Sequence, residues 1–182
     1  MSDKQRINRV VTRTGDSGET GLADGSRLAK DAPVIEAMGD VDELNAVLGV
    51  LRNKLGDSYE SLLESIQQAL FEIGAELAIP GSVRLDEEQV LHLEHAIAEF
   101  NAALPPLKEF VLPGGTDAAS WCHFCRTVAR RAERRLVTVM QSRPLNPQSL
   151  RYLNRLSDAL FVFARHLNST AGRGEPQWRP QR

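Results

Sequence analysis

The residues with the clearest chemical potential are the arginines of the stretch 126–135, which holds five arginines and one glutamate in ten residues. No glycine or proline interrupts the stretch, and its composition favours a helix. At about 100° per residue, four charged side chains fall on one helical face: Arg126, Arg130, Glu133 and Arg134. Arginine keeps its charge and offers a rigid fork of donors, so this face predicts an anionic partner. A solvated surface of charge pairs is the alternative interpretation.

A second polar feature is the glycine- and hydroxyl-rich stretch 12–27, followed by Lys30. Its composition argues against regular secondary structure. Consecutive backbone N–H groups and Ser/Thr hydroxyls can cradle phosphates where glycine permits close approach. The stretch is neither a Walker A loop nor a Rossmann loop, because the G-x-x-x-x-G-K-[ST] pattern is absent and no strand precedes it. A flexible N-terminal tail is the alternative.

Three smaller features complete the candidate site. Asn154 lies on a polar patch of the last predicted helix and could hydrogen-bond a ribose or a base edge. Asp42 could orient an arginine across the molecule, or simply complement a helix dipole. Glu133 could orient an arginine or help to hold Mg²⁺. A nucleoside triphosphate would use the loop, Lys30 and the arginines jointly. From residue types alone, the prediction ends at a helical bundle with a phosphate-containing ligand.

Helical periodicity and capping signals predict the elements that must position these residues. The predicted fold is all-α: a five-helix up-down bundle with an irregular N-terminal nucleotide-binding loop. The predicted helices run from a capping box at Asp40 to Gly56, from Tyr59 to about Leu77, from Asp86 to before Pro105, from Thr116 or Asp117 to about Gln141, and from Asn146-Pro147 to about residue 170. Residues 30–38 are expected to be a short connection.

The bulk composition narrows the function classes. The chain has 182 residues and a formal net charge of -2, which predicts one domain (1–182) and disfavours a general nucleic-acid binder. Residues 1–11 and 171–182 are expected to be flexible tails. No apolar run suits a membrane span or a secretory signal. The only cysteines, Cys122 and Cys125, lie three apart on one predicted helix. A cytoplasmic, reducing location is therefore expected, and a zinc or redox role is disfavoured.

Four separate motifs, taken in order, carry a resemblance to a known family. They are Thr12-Arg13-Thr14-Gly15-Asp16-Ser17-Gly18 with Lys30-Asp31 and Gly39-Asp40-Val41-Asp42-Glu43-Leu44-Asn45; Phe110-Val111-Leu112-Pro113-Gly114-Gly115; Ala129-Arg130-Arg131-Ala132-Glu133-Arg134-Arg135; and Tyr152-Leu153-Asn154-Arg155-Leu156-Ser157-Asp158. Together they span about residues 8–168. The chain resembles the ATP:cob(I)alamin adenosyltransferases of the propanediol-utilisation type.

The resemblance implies a homotrimer with active sites at the subunit interfaces. It implies transfer of the 5′-deoxyadenosyl group of ATP to the cobalt of cob(I)alamin, with release of tripolyphosphate and with Mg²⁺ as cofactor. It also makes a corrinoid reductase and adenosylcobalamin-dependent enzymes possible partners. Nucleic acid and membrane are not expected as partners. The alternative from another class is a non-enzymatic helical module that binds nucleic acid or acidic partners through the arginine face.

The resemblance also assigns roles by motif position. The triphosphate loop comprises Thr12, Arg13, Thr14, Gly15, Thr20, Gly21 and Lys30. The nucleotide contacts are Arg130, Glu133 (also the Mg²⁺ ligand), Arg134 and Asn154. Arg131 is a further nucleotide candidate, although it points further round the helix, where a solvated or subunit-contact charge is the plainer interpretation. Catalytic roles fall to Arg130, to an intersubunit pair of Arg126 with Asp42, and to Phe110, which resembles the aromatic that blocks the lower axial face of cobalt.

Two positions depart from the family pattern. Position 13 is Arg where many relatives have Lys, which keeps the charge but changes the donor geometry. Position 21 is Gly where a hydroxyl residue often lies, so a side-chain phosphate contact is in doubt there. The C-terminal segment matches no family motif, and any corrinoid contact from it is unassigned.

Overall fold

The structure, a computed structural model, describes residues 11–180. Helices dominate it: α1 (Pro33–Leu55), α2 (Glu60–Ala78), α3 (Glu87–Ala102), α4 (Asp117–Met140) and α5 (Pro147–Thr170), with a 3₁₀ turn at Gly56–Tyr59 between α1 and α2. The predicted helical class is confirmed. None of the helices in this part of the chain is long and apolar enough to cross a membrane. The predicted arm at residues 1–11 lies, apart from Val11, outside the described residues, as do residues 181–182.

The N-terminal loop is more regular than the sequence indicated. Strands β1 (Glu19–Gly21) and β2 (Arg27–Ala29) pair antiparallel, with Thr20 opposite Leu28. A tight turn joins them, in which the Asp24 carboxylate accepts hydrogen bonds from the backbone and hydroxyl of Ser26. Gly25 has φ +85°, which suits glycine at this turn. The prediction of a wholly irregular loop was wrong here because three-residue strands are too short to show alternation.

Helix α1 begins eight residues earlier than predicted, with its N-cap at Ala32 instead of Asp40. Its N-terminus has Pro33 at the first helical position, and Asp40 lies well inside the helix rather than at a cap. The Asp40-to-Glu43 spacing imitates a capping box, but these carboxylates serve arginines of α4 instead. The predicted connection at residues 30–38 is therefore wrong for Pro33 to Met38. The predicted end at Gly56, with φ +59°, is confirmed.

The other predicted caps are confirmed. Asp86 and Gln89 form the reciprocal capping box that begins α3. Thr116 caps α4 by accepting from the backbone N–H of Ala119, and Asn146 caps α5. These side chains satisfy backbone donors that a helix N-terminus leaves without internal partners.

The core is an aliphatic seam shared by the helices. Helix α4 packs against α1 and α5, α3 packs against α5, and α2 packs against α1. Fully buried leucines fill the seam, among them Leu44, Leu70, Leu136 and Leu156. Burying each such side chain contributes about 1.5–3 kcal/mol relative to leaving it exposed. The seam fixes the rotation of α4 about its axis, and therefore the direction in which its arginines point.

The C-terminal segment runs back along the residues before α4. Val111 and Gln177 form an antiparallel bridge, and Trp178 N–H donates to the carbonyl of Phe110 at 2.7 Å. Arg165, which is buried, pairs with Glu175 at 3.1 Å. That residues 171–182 form a flexible tail stays a prediction, and these contacts of residues 171–180 count against it.

A buried carboxylate holds together the end of the bundle where α2 ends and α5 begins. Glu76 on α2 accepts hydrogen bonds from the backbone N–H groups of Arg84 (2.6 Å) and Leu85 (2.9 Å). The Asn146 amide donates to the same oxygen at 2.8 Å, and the Ser149 hydroxyl donates to the other. Glu76 therefore ties the end of α2, the connection to α3 and the start of α5 together.

We expect Glu76→Ala to lower the free energy of unfolding by about 3–5 kcal/mol, because it leaves several buried donors without an acceptor. The matched control is Glu72→Ala on the same helix, which removes an exposed ion pair with Arg84 and should cost at most about 1 kcal/mol. Urea denaturation at one fixed protein concentration measures both. Equal losses would contradict the role assigned to Glu76.

Candidate functional site

The arginine face lies on the side of α4 that points away from the core. Ala132 and Leu136 are fully buried, whereas Arg130 and Arg134 are exposed. Arg134 donates back to the carbonyl of Arg130 at 2.9 Å, which holds the two side chains close together. Neither guanidinium group has an ion pair with a carboxylate in the described part of the chain. Two such groups on one outward surface form a site for an anion with several oxygens.

The remaining arginines of the stretch are neutralised by α1. Arg131 pairs with Glu43 and, at 3.3 Å, with Asp40. Arg135 pairs with Glu36 at 2.9 Å and with Asp40 at 3.5 Å. The hydrogen bond to Glu43 is the main reason why the pKa of Arg131 is raised. This network holds α1 against α4, and ATP binding by Arg131 stays a prediction.

Glu133 and Asn154 are brought together as the sequence predicted for members of one site. The Asn154 amide donates to Glu133 Oε1 at 2.9 Å across the contact between α4 and α5. Arg155 donates to the side-chain oxygen Oδ1 of Asn154 at 2.8 Å and pairs with Glu94 of α3 at 2.7 Å. This chain of contacts orients Asn154, and the Asn154 amide engages only Oε1 of Glu133.

Arg126, like Arg130 and Arg134, has no ion-pair partner within residues 11–180, but it is half-buried where the other two are exposed. Its Nε atom is buried without a hydrogen-bond partner among the described residues. Burial lowers the pKa of Arg126, and the charge of Arg130 lowers it further. A half-buried cation beside a second cation is stabilised when an anion approaches from outside.

His123 lies one turn before Arg126 and was missed by the sequence analysis. It is 3% exposed, and neither ring nitrogen has a hydrogen-bond partner in the described part of the chain. Its ring centroid lies 6.1 Å from that of Phe161 on α5. Burial, followed by the nearby Arg126 charge, lowers the pKa of His123 to about 4. The only sequence signal was its place on the arginine face.

The N-terminal loop gathers its candidate residues around Gly15 and Lys30. A Cβ atom at Gly15 would lie 3.2 Å from Lys30 Nζ, so the lysine lies directly over the glycine. Arg27 donates to the carbonyl of Thr14 at 2.7 Å and holds this part of the loop. Arg13 has φ +61°, a left-handed conformation that is uncommon outside glycine and is often associated with function.

A cavity of about 600 Å³ lies between the hairpin, α1 and α2. Its lining includes Thr20, Gly21 and Asp42 beside apolar residues such as Phe71, which is 66% exposed. The structure therefore brings two predicted loop residues to the predicted partner of Arg126. Asp42 itself is exposed and has no ion-pair partner within residues 11–180.

Phe110 is 79% exposed, which is unusual for so large an apolar side chain. It shares a cavity of about 320 Å³ with Leu107, Lys108 and Phe161. The ring of Trp178, from the C-terminal segment, lies 6.5 Å from the Phe110 ring. Three aromatic rings thus surround an open apolar surface beside the N-terminal half of α4.

One chain holds two halves of the predicted site without joining them. The first half is the loop with Asp42; the second is the arginine face with Asn154 and Phe110. Within residues 11–180, no hydrogen bond or ion pair connects residues 12–30 to Arg126, Arg130, Glu133, Arg134 or Asn154. Each half presents unpartnered charge to its surroundings.

The two cysteines offer no alternative chemistry. Both are free and buried, and burial raises the pKa of Cys125 to about 12 and that of Cys122 well above its usual range. A thiol of such high pKa is a poor nucleophile and a poor metal ligand. No group of three or more His, Cys, Asp or Glu side chains in the described part of the chain is arranged to hold a metal ion.

Fold and site together define a helical protein with a split anion-binding site. A family model described as cobalamin adenosyltransferase matches residues 10–167. The chain is 49% identical over 179 residues to a cobalamin adenosyltransferase of Cupriavidus metallidurans, covering 97% of each protein. It is 43% identical to a corrinoid adenosyltransferase of Bacillus subtilis, covering 93% of this chain and 92% of the relative. The chain belongs to the cobalamin adenosyltransferase family.

Solved structures agree with this assignment. A variant of a PduO-type ATP:corrinoid adenosyltransferase from Lactobacillus reuteri, complexed with cobalamin and ATP, superimposes with a TM-score of 0.90 at 36% identity, covering 94% of this chain and 100% of that chain. Another variant of that enzyme, complexed with ATP, has a TM-score of 0.87 at 38% identity, covering 93% of this chain and 100% of that chain. The predicted family and enzyme class are confirmed, and the chain is an ATP:corrinoid adenosyltransferase.

The two kinds of arginine on α4 should respond differently to removal. We expect Arg131→Ala to lower the free energy of unfolding by about 1 kcal/mol, because it breaks the network with Asp40 and Glu43. Arg130→Ala should change it by less than about 0.5 kcal/mol, because Arg130 has no ion pair with a carboxylate among residues 11–180. Chemical denaturation of both variants decides. A larger loss for Arg130→Ala would mean that the network is misassigned.

The buried His123 should make stability depend on pH. Its pKa is about 4 in the folded chain and ordinarily 6.5, so between these values the unfolded chain binds more protons. The free energy of unfolding should therefore fall as pH falls through this window, by roughly 3 kcal/mol from this residue. Urea denaturation at several pH values should show a shallower decrease for His123→Gln. Identical slopes would exclude a neutral buried imidazole.

Proposed function

We propose that the chain transfers the 5′-deoxyadenosyl group of ATP to the cobalt of cob(I)alamin, forming adenosylcobalamin and releasing tripolyphosphate, at a site built from two subunits. The observation that carries the proposal is the outward face of Arg126, Arg130 and Arg134, none of which has an ion pair with a carboxylate within residues 11–180. ATP and a neighbouring subunit's acid together supply the missing negative charge.

The proposed assembly is a homotrimer of five-helix up-down bundles. In it, the loop and Asp42 of one subunit meet the arginine face of the next, so that Asp42 pairs with Arg126 across the interface. Neither Asp42 nor Arg126 has an ion-pair partner in the described part of the chain, and Phe71, which lines the same cavity as Asp42, is exposed. A closed ring satisfies every copy of such a two-sided contact.

Within that site, the loop and the arginines bind opposite ends of the triphosphate. Thr12, Arg13, Thr14 and Gly15, with Thr20, Gly21 and Lys30, offer backbone N–H groups, hydroxyls and charges to the phosphates. Arg130 and Arg134 stabilise the negative charge that develops as tripolyphosphate leaves. Asn154 hydrogen-bonds the nucleoside. Reduced cobalt is itself the nucleophile that attacks the ribose C5′, so the protein's task is to orient ATP and exclude water.

The residues present fit a Mg²⁺ ion at Glu133. Magnesium in nucleotide sites takes one or two protein carboxylates together with phosphate oxygens. Asn154 donates to one carboxylate oxygen of Glu133, Oε1, and the other oxygen is the proposed Mg²⁺ ligand. When bound, the ion would neutralise phosphate charge and orient the triphosphate.

Phe110 is proposed to contact the corrinoid. A ring that is 79% exposed beside Phe161 and Trp178 gives a flat apolar ligand a surface to cover. Blocking the lower axial position of cobalt with an aromatic ring removes a ligand that makes cobalt harder to reduce. The C-terminal segment, unassigned by sequence, is proposed to support this surface through Trp178.

Two further proposals concern the surroundings of the enzyme. The free, buried cysteines fit a reducing, cytoplasmic location. The need for Co(I) implies a corrinoid reductase as a partner, and the product implies an adenosylcobalamin-dependent acceptor enzyme.

The activity is tested by anaerobic incubation of the chain with ATP, Mg²⁺ and chemically reduced cobalamin, following the corrinoid spectrum. We expect adenosylcobalamin and tripolyphosphate in equal amounts. If neither forms, while the protein binds DNA, RNA or an acidic protein with a steep salt dependence, the non-enzymatic alternative holds instead.

Arg130→Ala should reduce kcat about 10²–10³-fold, because it removes a charged donor to the leaving group. Arg130→Lys keeps the charge but loses the fork, so it should retain an intermediate rate. Steady-state kinetics at saturating cobalamin measures both. Normal turnover by the alanine variant would show that Arg130 does not contact the triphosphate.

Mixing two inactive variants tests the split site. Lys30→Ala damages only the loop half, and Arg130→Ala damages only the arginine half. In random mixed trimers about a quarter of the sites combine two intact halves, so mixing with subunit exchange should restore up to about a quarter of wild-type activity. Restoration that stays at zero in exchanged trimers would place both halves in one subunit.

A further inference from the structure

His123 is the strongest unexplained feature of the molecule. Its side chain is 3% exposed, yet both ring nitrogens lack a hydrogen-bond partner in the described part of the chain. Nearly all buried polar groups in proteins are hydrogen-bonded, and an unsatisfied one costs about 1–3 kcal/mol. A buried imidazole without a hydrogen-bond partner among the described residues of its own chain indicates that a ligand or a neighbouring subunit supplies the partner.

The position of His123 says where that partner arrives. At about 100° per residue, His123 points in nearly the same direction from α4 as Arg130 and Arg134, two and three turns further on. It is therefore on the proposed substrate face and not on the core face. Its neighbours are Arg126 on one side and the Phe161 ring on the other.

These two neighbours belong to different parts of the proposed site. Arg126 belongs to the subunit contact, and its Nε is also buried without a partner. Phe161 belongs to the apolar cavity around Phe110. His123 thus lies between the nucleotide side and the corrinoid side of the proposed site. Both His123 and Arg126, one helical turn apart, have buried nitrogens with no hydrogen-bond acceptor among the described residues.

We infer that His123 is a positioning residue of the adenosyl-transfer site, whose neutral imidazole donates a hydrogen bond, together with Arg126, to one acceptor that enters from outside the chain. This inference rests on the proposed function. The acceptor is a carboxylate or amide oxygen. It comes either from the neighbouring subunit, where Asp42 is the candidate, or from the amide side chains of the corrinoid.

The chemistry requires this imidazole to be neutral. Burial and the adjacent arginine hold the pKa of His123 at about 4, so the ring has one N–H donor and no charge at neutral pH. A neutral donor orients the acceptor and Arg126 without adding a fourth positive charge to the face. The effect on reaction is therefore exerted through the position of Arg126 and of the acceptor.

The test compares His123→Leu with His123→Gln, both close to histidine in volume. Leucine removes both nitrogens, whereas the glutamine amide keeps one donor. We expect His123→Leu to lower kcat/KM for cob(I)alamin about tenfold, and His123→Gln to recover most of that loss. If the acceptor is on the corrinoid, the leucine variant without substrates should unfold at the same or a higher temperature than the wild type, because it removes a group that is unsatisfied until the corrinoid binds.

The two sources of the acceptor give different results. If it belongs to the neighbouring subunit, His123→Leu weakens the assembly and raises KM for ATP and for cob(I)alamin together, and Asp42→Asn adds little to it. If it belongs to the corrinoid, only KM for cob(I)alamin rises, and the mass in solution stays that of the wild type.

Wild-type kcat and KM values in His123→Leu would overturn the inference while leaving the proposed function intact. Equal loss of activity and thermal stability in both variants would also overturn it, because that pattern is purely structural. Inactive wild-type enzyme would instead refute the proposed function. Should neither variant fold, ¹⁵N NMR of ring-labelled wild type decides: the ring signal of His123 must shift on addition of ATP and cobalamin, and an unchanged signal overturns the inference.

Discussion

Charge compensation along α4 is the constraint on which the rest of the structure depends. Five arginines within ten residues repel one another, and a helix that carried them unpaired would be destabilised. The α1 acids Glu36, Asp40 and Glu43 neutralise the two arginines that turn towards α1. The other three, Arg126, Arg130 and Arg134, have no ion-pair partner within residues 11–180, and they form the arginine face of the site.

The aliphatic seam decides which arginines belong to which group. Because Ala132 and Leu136 are fixed in the core, residues 131 and 135 are rotated towards α1, while 126, 130 and 134 point outward. A rotation of α4 by one position, about 100°, would turn Arg130 and Arg134 towards α1 and carry Arg131 and Arg135 into the core positions of Ala132 and Leu136. Apolar packing, which carries no charge, thus determines where the phosphate-binding charge is presented.

Much of the fold could be predicted from local sequence because its determinants are local. The caps at Asp86, Thr116 and Asn146 act on backbone groups two or three residues away, and all three are confirmed. The prediction that Asp40 caps α1 was wrong because the same carboxylate can cap a helix or pair with arginines about ninety residues later in the sequence. Only the tertiary structure decides between these two roles. The hairpin was not predicted because each of its strands has only three residues, which is too short to show an alternating pattern.

The residues of the candidate site could be predicted from the sequence, but the contacts between them could not. Motif matching selected Arg130, Glu133 and Asn154, and the structure adds that Asn154 orients Glu133. That the loop and the arginine face do not meet within one chain depends on helix rotation and on the path of residues 12–32, for which no short-range signal exists. His123 was not predicted as a site residue, because burial without a hydrogen-bond partner is visible only in three dimensions.

These features fit a reaction in which the substrate supplies the nucleophile. A reduced cobalt needs no serine, cysteine or histidine base, and the buried cysteines, with their raised pKa values, offer none. What such a reaction needs is an ordered leaving group and a dry contact between two large ligands. An enzyme of this kind gains from leaving its charges and donors uncompensated until the ligands and the next subunit arrive, because the interactions are then made only in the assembled, water-excluding state. Accordingly, Arg126, Arg130 and Asp42 have no ion-pair partner within residues 11–180, at the cost of some stability of the single chain.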